Sequence, residues 1–177
     1  NAQAAPNIRY EAAAAECSSL EDNSADLITV SQALHWFNFE KFYAEVKRVG
    51  KKNSVIAAWT YSLLKVSPEI DALIKFFHDH TLDSYWDNER HYVNQGYSNL
   101  PFPFQQISDP GFSIDVHWDK NQLFGYIATW SAWQKFLQKN TSEPLQELMN
   151  QVEKLWPGSE PRKMQFPLFL KMGFIHQ

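Results

Sequence analysis

The fold is decided by residues 26–37, which read Asp-Leu-Ile-Thr-Val-Ser-Gln-Ala-Leu-His-Trp-Phe. The apolar, β-branched run at 27–30 is bounded by polar residues, which is typical of a strand buried on both faces of a sheet. Polar side chains follow it at once, at Ser31, Gln32 and His35. In open α/β sheets the carboxyl ends of the strands form the ligand-binding crevice. This stretch therefore predicts both a sheet strand and a binding site.

The residues on either side of this stretch predict a parallel sheet. Residues 39–49 place apolar side chains at three- and four-residue steps, which is typical of an amphipathic helix. Gly50 and the basic residues after it predict the end of that helix, and residues 54–60 predict the next strand. Strand, helix and strand with short connections imply a right-handed parallel crossover. A short extended segment is also expected at 8–12, which would make three strands in the first third of the chain.

The rest of the chain predicts helices followed by strands. Ser67 and Pro68 form a helix start signal, and residues 85–104 predict a loop because their aromatic residues and prolines show no period. Asp119 and Gln122 predict a capping box. The remaining predicted elements are a strand over 112–118, a helix over 123–137, a helix over 145–155, and a strand over 164–175 in which Pro167 indicates an edge or a bulge.

The composition is that of a globular domain, and it excludes several classes of function. The chain has 177 residues, of which 44% are hydrophobic and 20% charged, with a net charge of −4. These values argue against wholesale disorder and against a dedicated nucleic-acid binder. No apolar run approaches the roughly 18 residues of a membrane span. The single cysteine, Cys17, cannot form an internal disulfide, so a reduced cytoplasm is the expected location.

Three other kinds of site are weak candidates. His78, Asp79, His80 and Asp83 are potential metal ligands, but positions 78 and 80 of an α-helix point about 200° apart. A solvated helix end is the preferred interpretation, and no metal site is predicted. Cys17 has no base near it in the sequence that would activate a nucleophile. Neither a Gly-x-Ser-x-Gly elbow nor a Gly-x-Gly phosphate loop occurs.

The sequence resembles the class I S-adenosylmethionine-dependent methyltransferases, in particular the small-molecule, trans-aconitate methyltransferase-like branch of the methyltransferase type 11 proteins. The Gln-Ala-x-His-Trp-Phe run at 32–37 is the most specific marker of this resemblance. The other stretches are Ala15-Glu16, residues 24–31, 42–49 and 55–59, with weaker similarity at Tyr85-Trp86, Tyr97, 101–104 and 129–131.

The resemblance implies a Rossmann-like α/β fold that is incomplete at its N-terminus. The family's glycine-rich loop and its acidic ribose-binding residue have no counterpart and are expected before Asn1, so the first two strands would be absent. Without them the 177-residue piece is expected to bind the cofactor poorly and to be incompetent alone. Expected domains are the C-terminal part of the cofactor domain (1–62), a helical and aromatic lid with its return strand (63–135), and a C-terminal helix and strand (136–177) completing an antiparallel pair.

The resemblance also implies a site for S-adenosyl-L-methionine and a pocket for a small acceptor. His35 would take a proton from the acceptor or orient it. Arg90, His91 or Lys65 would be the counter-ion of a carboxylate acceptor. The residues expected at the cofactor are Ala14, Ala15 and Glu16 beside the adenine and Ser31, Gln32 and Ala33 beside the methionine part. The residues expected to line the acceptor pocket are Trp36, Tyr61, Tyr85, Trp86, Tyr126 and Trp130.

Three functions follow from these observations. The favoured one is a cytoplasmic methyltransferase acting on a small molecule, with a carboxylate among the candidate acceptors. Such a protein would act as a monomer or homodimer and would bind neither nucleic acid nor membrane. The alternatives are a non-catalytic methyltransferase-like interaction module and an aromatic-lined module that binds lipid or carbohydrate. For His35 and Trp36 the alternative is simple packing beneath the helix that follows them.

Overall fold

A parallel strand–helix–strand unit opens the computed structural model, which describes residues 5–175. Strand β1 spans Ala25–Ser31, helix α1 spans Phe39–Val49, and strand β2 spans Gly50–Tyr61. The two strands are parallel, and Ser31 lies opposite Trp59. The predicted crossover is therefore confirmed, and α1 has the predicted bounds.

The remaining elements are mostly helical. A π-helical turn at Phe77–Thr81 continues the helix before it, and 3₁₀ turns occupy Leu34–Trp36 and Asp83–Tyr85. No helix described between residues 5 and 175 has both the length and the apolar character to cross a bilayer. The other elements are α2 (Pro68–Phe76), α3 (Arg90–Asn94), β3 (Gln105–Ile107), β4 (Ser113–Trp118), α4 (Lys120–Ala128), α5 (Ser131–Leu137), α6 (Glu143–Leu155) and β5 (Arg162–Ile175).

The five strands described form a mixed sheet in the order β1-β2-β5-β3, and β4 also pairs with β5. Both β3 and β4 run antiparallel to β5, which confirms the predicted C-terminal antiparallel pairing. The prediction that Pro167 lies in an edge strand is wrong, and its alternative, a bulge, stays a prediction. Pro167 lies in the central strand β5, opposite Ser113, at the position where pairing with β4 ends.

Three other predictions about the elements are wrong. Residues 8–12 are not a strand, because the described residues before Ala25 form no helix or strand. The interpretation of β1 as buried on both faces fails because β1 is an edge strand of the described sheet and Leu27 is 59% exposed. The single helix predicted over 123–137 is divided into α4 and α5, because Trp130 takes an extended backbone conformation between them.

The chain divides into two compact units. Unit 1 consists of residues 5–59, 100–108 and 171–175, and unit 2 consists of residues 60–99 and 109–170. The core of unit 1 contains buried side chains of α1 and β2, including Phe42, Val46 and Ile56. The core of unit 2 is rich in aromatic residues, and its largest fully buried side chains are Trp133 and Trp156.

Candidate active site

The carboxyl end of β1 holds a residue in an unfavourable backbone conformation. Gln32 has a φ of +52°, in the left-handed region that side chains other than glycine rarely occupy. Its N–H donates to the carbonyl oxygen of Trp59 at 2.9 Å, which fixes the turn against β2. Ser31, just before it, is exposed. Residues held in such conformations cluster at functional sites, and Gln32 is one of the residues predicted at the cofactor.

His35 and Trp36 follow this turn but differ in exposure. Both lie in the 3₁₀ turn at 34–36, with ring centroids 4.8 Å apart. His35 is 6% exposed, whereas Trp36 is 55% exposed. Burial of His35 agrees with the packing alternative as well as with a role in a dry site. Exposure of Trp36 does not agree with packing, and a large exposed indole near a sheet edge is available for ligand contact.

Glu16 connects the first predicted cofactor stretch, residues 14–16, to the start of α1. Its carboxylate accepts the N–H of Asn38 at 2.8 Å, and the Asn38 side chain in turn caps α1 by accepting the N–H of Lys41 at 3.1 Å. Ala14 is exposed, and its carbonyl oxygen accepts the N–H of Cys17 at 3.0 Å. The structure therefore joins residues 14–16 to the segment after β1, with Glu16 as the anchor.

A partly buried ion pair stabilises the same region of unit 1. The carboxylate of Glu45, on α1, accepts the N–H and hydroxyl of Ser18 at 2.8 and 2.7 Å and the guanidinium of Arg48 at 2.7 Å. Arg48 also reaches Asp22 at 2.7 Å. The hydrogen bond from Arg48 is the largest cause that lowers the pKa of Glu45 to about 2. This network ties the loop at 18–22 to α1.

We expect Glu45→Gln to lower the free energy of unfolding at pH 7 by about 1–3 kcal/mol, because the donors of Ser18 and Arg48 lose a charged acceptor. The folded pKa of about 2 lies below the ordinary 4.5, so the carboxylate contributes stability above pH 4.5 that is lost as the pH falls toward 2. The variant should show a flatter pH dependence in that window. Denaturant unfolding at several pH values measures this, with Glu40→Gln, an exposed carboxylate on α1, as the control.

Unit 2 contains an aromatic cluster, which we define as Tyr61, Trp86, Trp118, Tyr126, Trp130 and Phe166. Four of the six are predicted acceptor-pocket residues: Tyr61, Trp86, Tyr126 and Trp130. Tyr85 lies apart from them, packed on Phe136 at 5.1 Å, and its hydroxyl accepts a hydrogen bond from Asn140. The ring centroid distances are 5.7 Å for Tyr61–Phe166, 5.3 Å for Phe166–Tyr126, 5.5 Å for Tyr126–Trp118, 5.9 Å for Tyr126–Trp130 and 5.9 Å for Trp130–Trp86.

Two members of this cluster bear on its chemistry. Burial raises the pKa of Tyr126 to about 12, and neighbouring Tyr61 adds to that increase. The Tyr126 hydroxyl therefore stays neutral at physiological pH. The cluster is aromatic and partly buried, so it is an apolar environment that contains a few neutral hydroxyl and indole groups.

Arg90 adds a positive charge to this cluster. Its guanidinium lies 4.6 Å from the centre of the Trp86 ring, and its Nε donates to Oδ1 of Asn94 at 3.2 Å. Burial lowers the pKa of Arg90. Within the described range 5–175, no carboxylate lies within ion-pair distance of this side chain. Of the three predicted counter-ions, His91 and Lys65 are exposed, so Arg90 is the one held among the aromatic rings.

His78 is buried, so the prediction of a solvated helix end is wrong for this residue. Its side chain is 2% exposed, and its ring lies 4.5 Å from Trp86 and 5.6 Å from Trp130. The π-helical turn at 77–81 explains the error, because the N–H of Leu82 bonds back five residues to Phe77 and changes the direction of the side chains between them. No set of three or more potential metal ligands comes together in the described part of the chain.

A cavity of about 510 Å³ in unit 2 borders His78. Asp79, whose Oδ1 lies 2.6 Å from Nδ1 of His78, also lines it. Lys75 contributes to the same wall and forms an ion pair with Asp79. The other lining residues are Ser62, Leu63, Leu64, Lys65, Asp71, Asp83 and Asn94. Sequence reasoning missed this cavity and also missed Trp118 and Phe166, because no local pattern marks residues that meet only in the folded chain.

Comparisons with known proteins show the family of this chain. A family model described as “Methyltransferase domain” matches residues 1–58. A Dictyostelium discoideum protein assigned as a methyltransferase is 30% identical over 96% of this chain, which covers 67% of that protein. A solved structure from Anaeromyxobacter dehalogenans, assigned as a type II methyltransferase, is 34% identical with a TM-score of 0.91, over 99% of this chain and 75% of that one. The chain therefore belongs to the class I S-adenosylmethionine-dependent methyltransferases.

Proposed function

We propose that the protein transfers a methyl group from S-adenosyl-L-methionine to a small acceptor that carries a carboxylate. The observation that supports the carboxylate is Arg90, a half-buried guanidinium beside Trp86 that has no carboxylate partner in the described part of the chain. A desolvated cation without a counter-ion is costly, and an anionic ligand would remove that cost. We place the reaction in a reduced cytoplasm, since the single cysteine, Cys17, is unbridged.

The residues around the end of β1 fit the cofactor by their chemistry. Ala14 and Ala15 are small and leave room for a flat base, while Ser31 and Gln32 offer polar groups where β1 ends. We assign Ala14 and Ala15 to the adenine side and Ser31, Gln32 and Ala33 to the methionine side. When bound, the cofactor supplies an electrophilic methyl on a sulfonium, and transfer then depends mainly on alignment. Glu16 contributes by anchoring residues 14–16 to the start of α1.

The residues of unit 2 fit the acceptor. Arg90 would bind the acceptor carboxylate through two N–H groups, which suits the planar guanidinium. The aromatic cluster would cover the apolar part of the acceptor and exclude water, and Tyr126 would act as a neutral hydrogen-bond donor. For His35 and Trp36 we keep the roles that the family resemblance implies, with His35 as a hydrogen-bond partner in catalysis and the exposed ring of Trp36 as an apolar contact.

The experiment that tests this function measures release of S-adenosylhomocysteine by the full-length protein with a panel of small carboxylic acids and their uncharged primary amides. We expect turnover with at least one acid and none, or at least about 100-fold less, with its amide, because only the acid can pair with Arg90. Turnover of the amide at the same rate as the acid would contradict the carboxylate. Absence of turnover with every acid would contradict the small-acid acceptor itself.

We expect His35→Ala to lower kcat about tenfold to 100-fold, because an acceptor that is no longer oriented reacts less often. His117→Ala, which removes an exposed histidine on β4, serves as the control and should leave kcat unchanged. Steady-state kinetics on both variants, with thermal unfolding to confirm folding, provide the measurement. If both variants keep the wild-type kcat, His35 is a packing residue.

A further inference from the structure

The hydrogen bond between His78 and Asp79 determines which nitrogen of the imidazole carries the proton. Nδ1 of His78 lies 2.6 Å from Oδ1 of Asp79. A carboxylate accepts hydrogen bonds only, so Nδ1 must be the donor and carry the proton. In the neutral imidazole, Nε2 is then left with its lone pair. His78 therefore presents Nε2 as a hydrogen-bond acceptor.

The Nε2 atom of His78 has no hydrogen-bond partner in the part of the chain that the structure describes. Nε2 of His78 is buried, and no hydrogen-bond donor of residues 5–175 contacts it. Trp86 and Trp130 lie against the ring, and the indole N–H of Trp86 is already used, since it donates to the carbonyl oxygen of His78 at 3.0 Å. Buried polar atoms normally have partners, and an unpaired one destabilises the folded protein. His78 also borders the cavity of about 510 Å³, so a donor on a ligand bound there would satisfy Nε2.

The charges around His78 restrict what that donor can be. Three charged groups act electrostatically on His78. Asp79 and Lys75 belong to the same helical segment as His78, and Arg90 belongs to α3. Arg90 and Lys75 disfavour a second cation at Nε2, so an ammonium group is a poor candidate. Burial also lowers the pKa of His78, which keeps the imidazole neutral at pH 7. A neutral and compact donor fits these conditions, and a hydroxyl group is the smallest such donor.

We propose that the acceptor carries a hydroxyl group that donates a hydrogen bond to Nε2 of His78, so that the enzyme selects hydroxylated carboxylic acids. This inference rests on the proposed function, because it assumes that Arg90 binds the carboxylate of the same molecule. Trp86 contacts both His78 and Arg90. The imidazole proposed to bind the hydroxyl and the guanidinium proposed to bind the carboxylate therefore lie around one indole ring. A ligand that reaches the buried Nε2 has to displace part of the Trp86 ring, which is half-buried, whereas Trp130 is 8% exposed.

The test compares the binding of matched pairs of acids that differ by one hydroxyl. The probes are 4-hydroxyphenylacetate with phenylacetate, malate with succinate, and 3-hydroxydecanoate with decanoate, titrated calorimetrically into the protein with S-adenosylhomocysteine present. We expect the hydroxylated member of at least one pair to bind about 10- to 100-fold more tightly than its partner. In His78→Phe this preference should fall to within about threefold, since the ring is kept and the acceptor atom is lost.

Two controls separate recognition from packing. His80→Phe, at an exposed position on the same turn, should keep the preference for the hydroxylated acid. His78→Phe also loses the hydrogen bond to Asp79, so its thermal unfolding serves to confirm that the variant folds, and its binding is compared below the melting transition. A preference that survives in His78→Phe would overturn the proposal.

The wild-type protein provides a readout that needs no variant. Imidazole ¹⁵N NMR should show His78 with the proton on Nδ1, and its Nε2 resonance should move upfield when the hydroxylated acid is added but not when its partner is added. Acids that bind equally well with or without the hydroxyl would refute this inference and leave the carboxylate site intact. Failure of every acid to bind would refute both proposals.

Discussion

Replacing Arg90 by Gln should lower kcat/KM for the acceptor by about 100-fold or more, and most of the change should appear in KM. Arg90 would hold the acceptor carboxylate equally in the ground state and the transition state, so its loss weakens binding rather than chemistry. Truncating one partner of a buried charge pair costs more binding free energy than truncating one partner of an exposed pair. Removing an unpaired, half-buried cation should leave the melting temperature unchanged or raise it. Steady-state kinetics and thermal unfolding measure both effects.

Two further variants sharpen this test. Arg90→Lys keeps the charge but loses the planar pair of donors, so it should recover part of the affinity and remain about tenfold weaker than wild type. Arg162→Gln is a matched control, because Arg162 also lies over an indole ring, that of Trp156, at 4.9 Å. This control should leave KM unchanged. An equal rise of KM in Arg90→Gln and Arg162→Gln would mean that the acid is attracted by positive charge anywhere on the protein and not by a specific site at Arg90.

The elements of the fold could be predicted wherever their determinants lie close together in the sequence. The apolar period of α1 and the run that forms β1 are local signals, and the capping box at Asp119 and Gln122 is a local hydrogen-bond pattern that the structure contains. Burial was harder to predict than secondary structure. Leu27 belongs to an apolar run yet is exposed, because exposure depends on where β1 lies in the sheet and not on its own residues.

In the candidate site, too, features set by neighbouring residues could be predicted, and features that depend on the folded chain could not. The residues proposed for the cofactor lie in two short stretches, 14–16 and 31–33, so contiguous motifs are enough to propose them. The aromatic cluster is different, since its members come from widely separated positions between Tyr61 and Phe166 and meet only in the folded unit 2. His78 could not be predicted because its burial depends on a π-helical turn, a geometry that no simple residue pattern specifies.

Trp130→Ala should destabilise the protein by about 3–5 kcal/mol and also weaken acceptor binding at least tenfold. Trp130 is 8% exposed, and its ring lies 5.6 Å from His78 and 5.9 Å from both Trp86 and Tyr126. It is therefore both a core residue of unit 2 and the common neighbour of the groups proposed to recognise the acceptor. The affinity for S-adenosylhomocysteine should change little, since the residues assigned to the cofactor all belong to unit 1.

A matched tryptophan separates the two roles of Trp130. Trp156 is 1% exposed, and its Nε1 donates to the carbonyl oxygen of Glu160 at 3.1 Å, but it is not a member of the aromatic cluster. Trp156→Ala should therefore cost a similar free energy of unfolding, measured in urea, while KM for the acceptor stays at the wild-type value below the melting transition. If Trp130→Ala loses stability with no change in KM, Trp130 acts only in the core, and the acceptor must bind elsewhere.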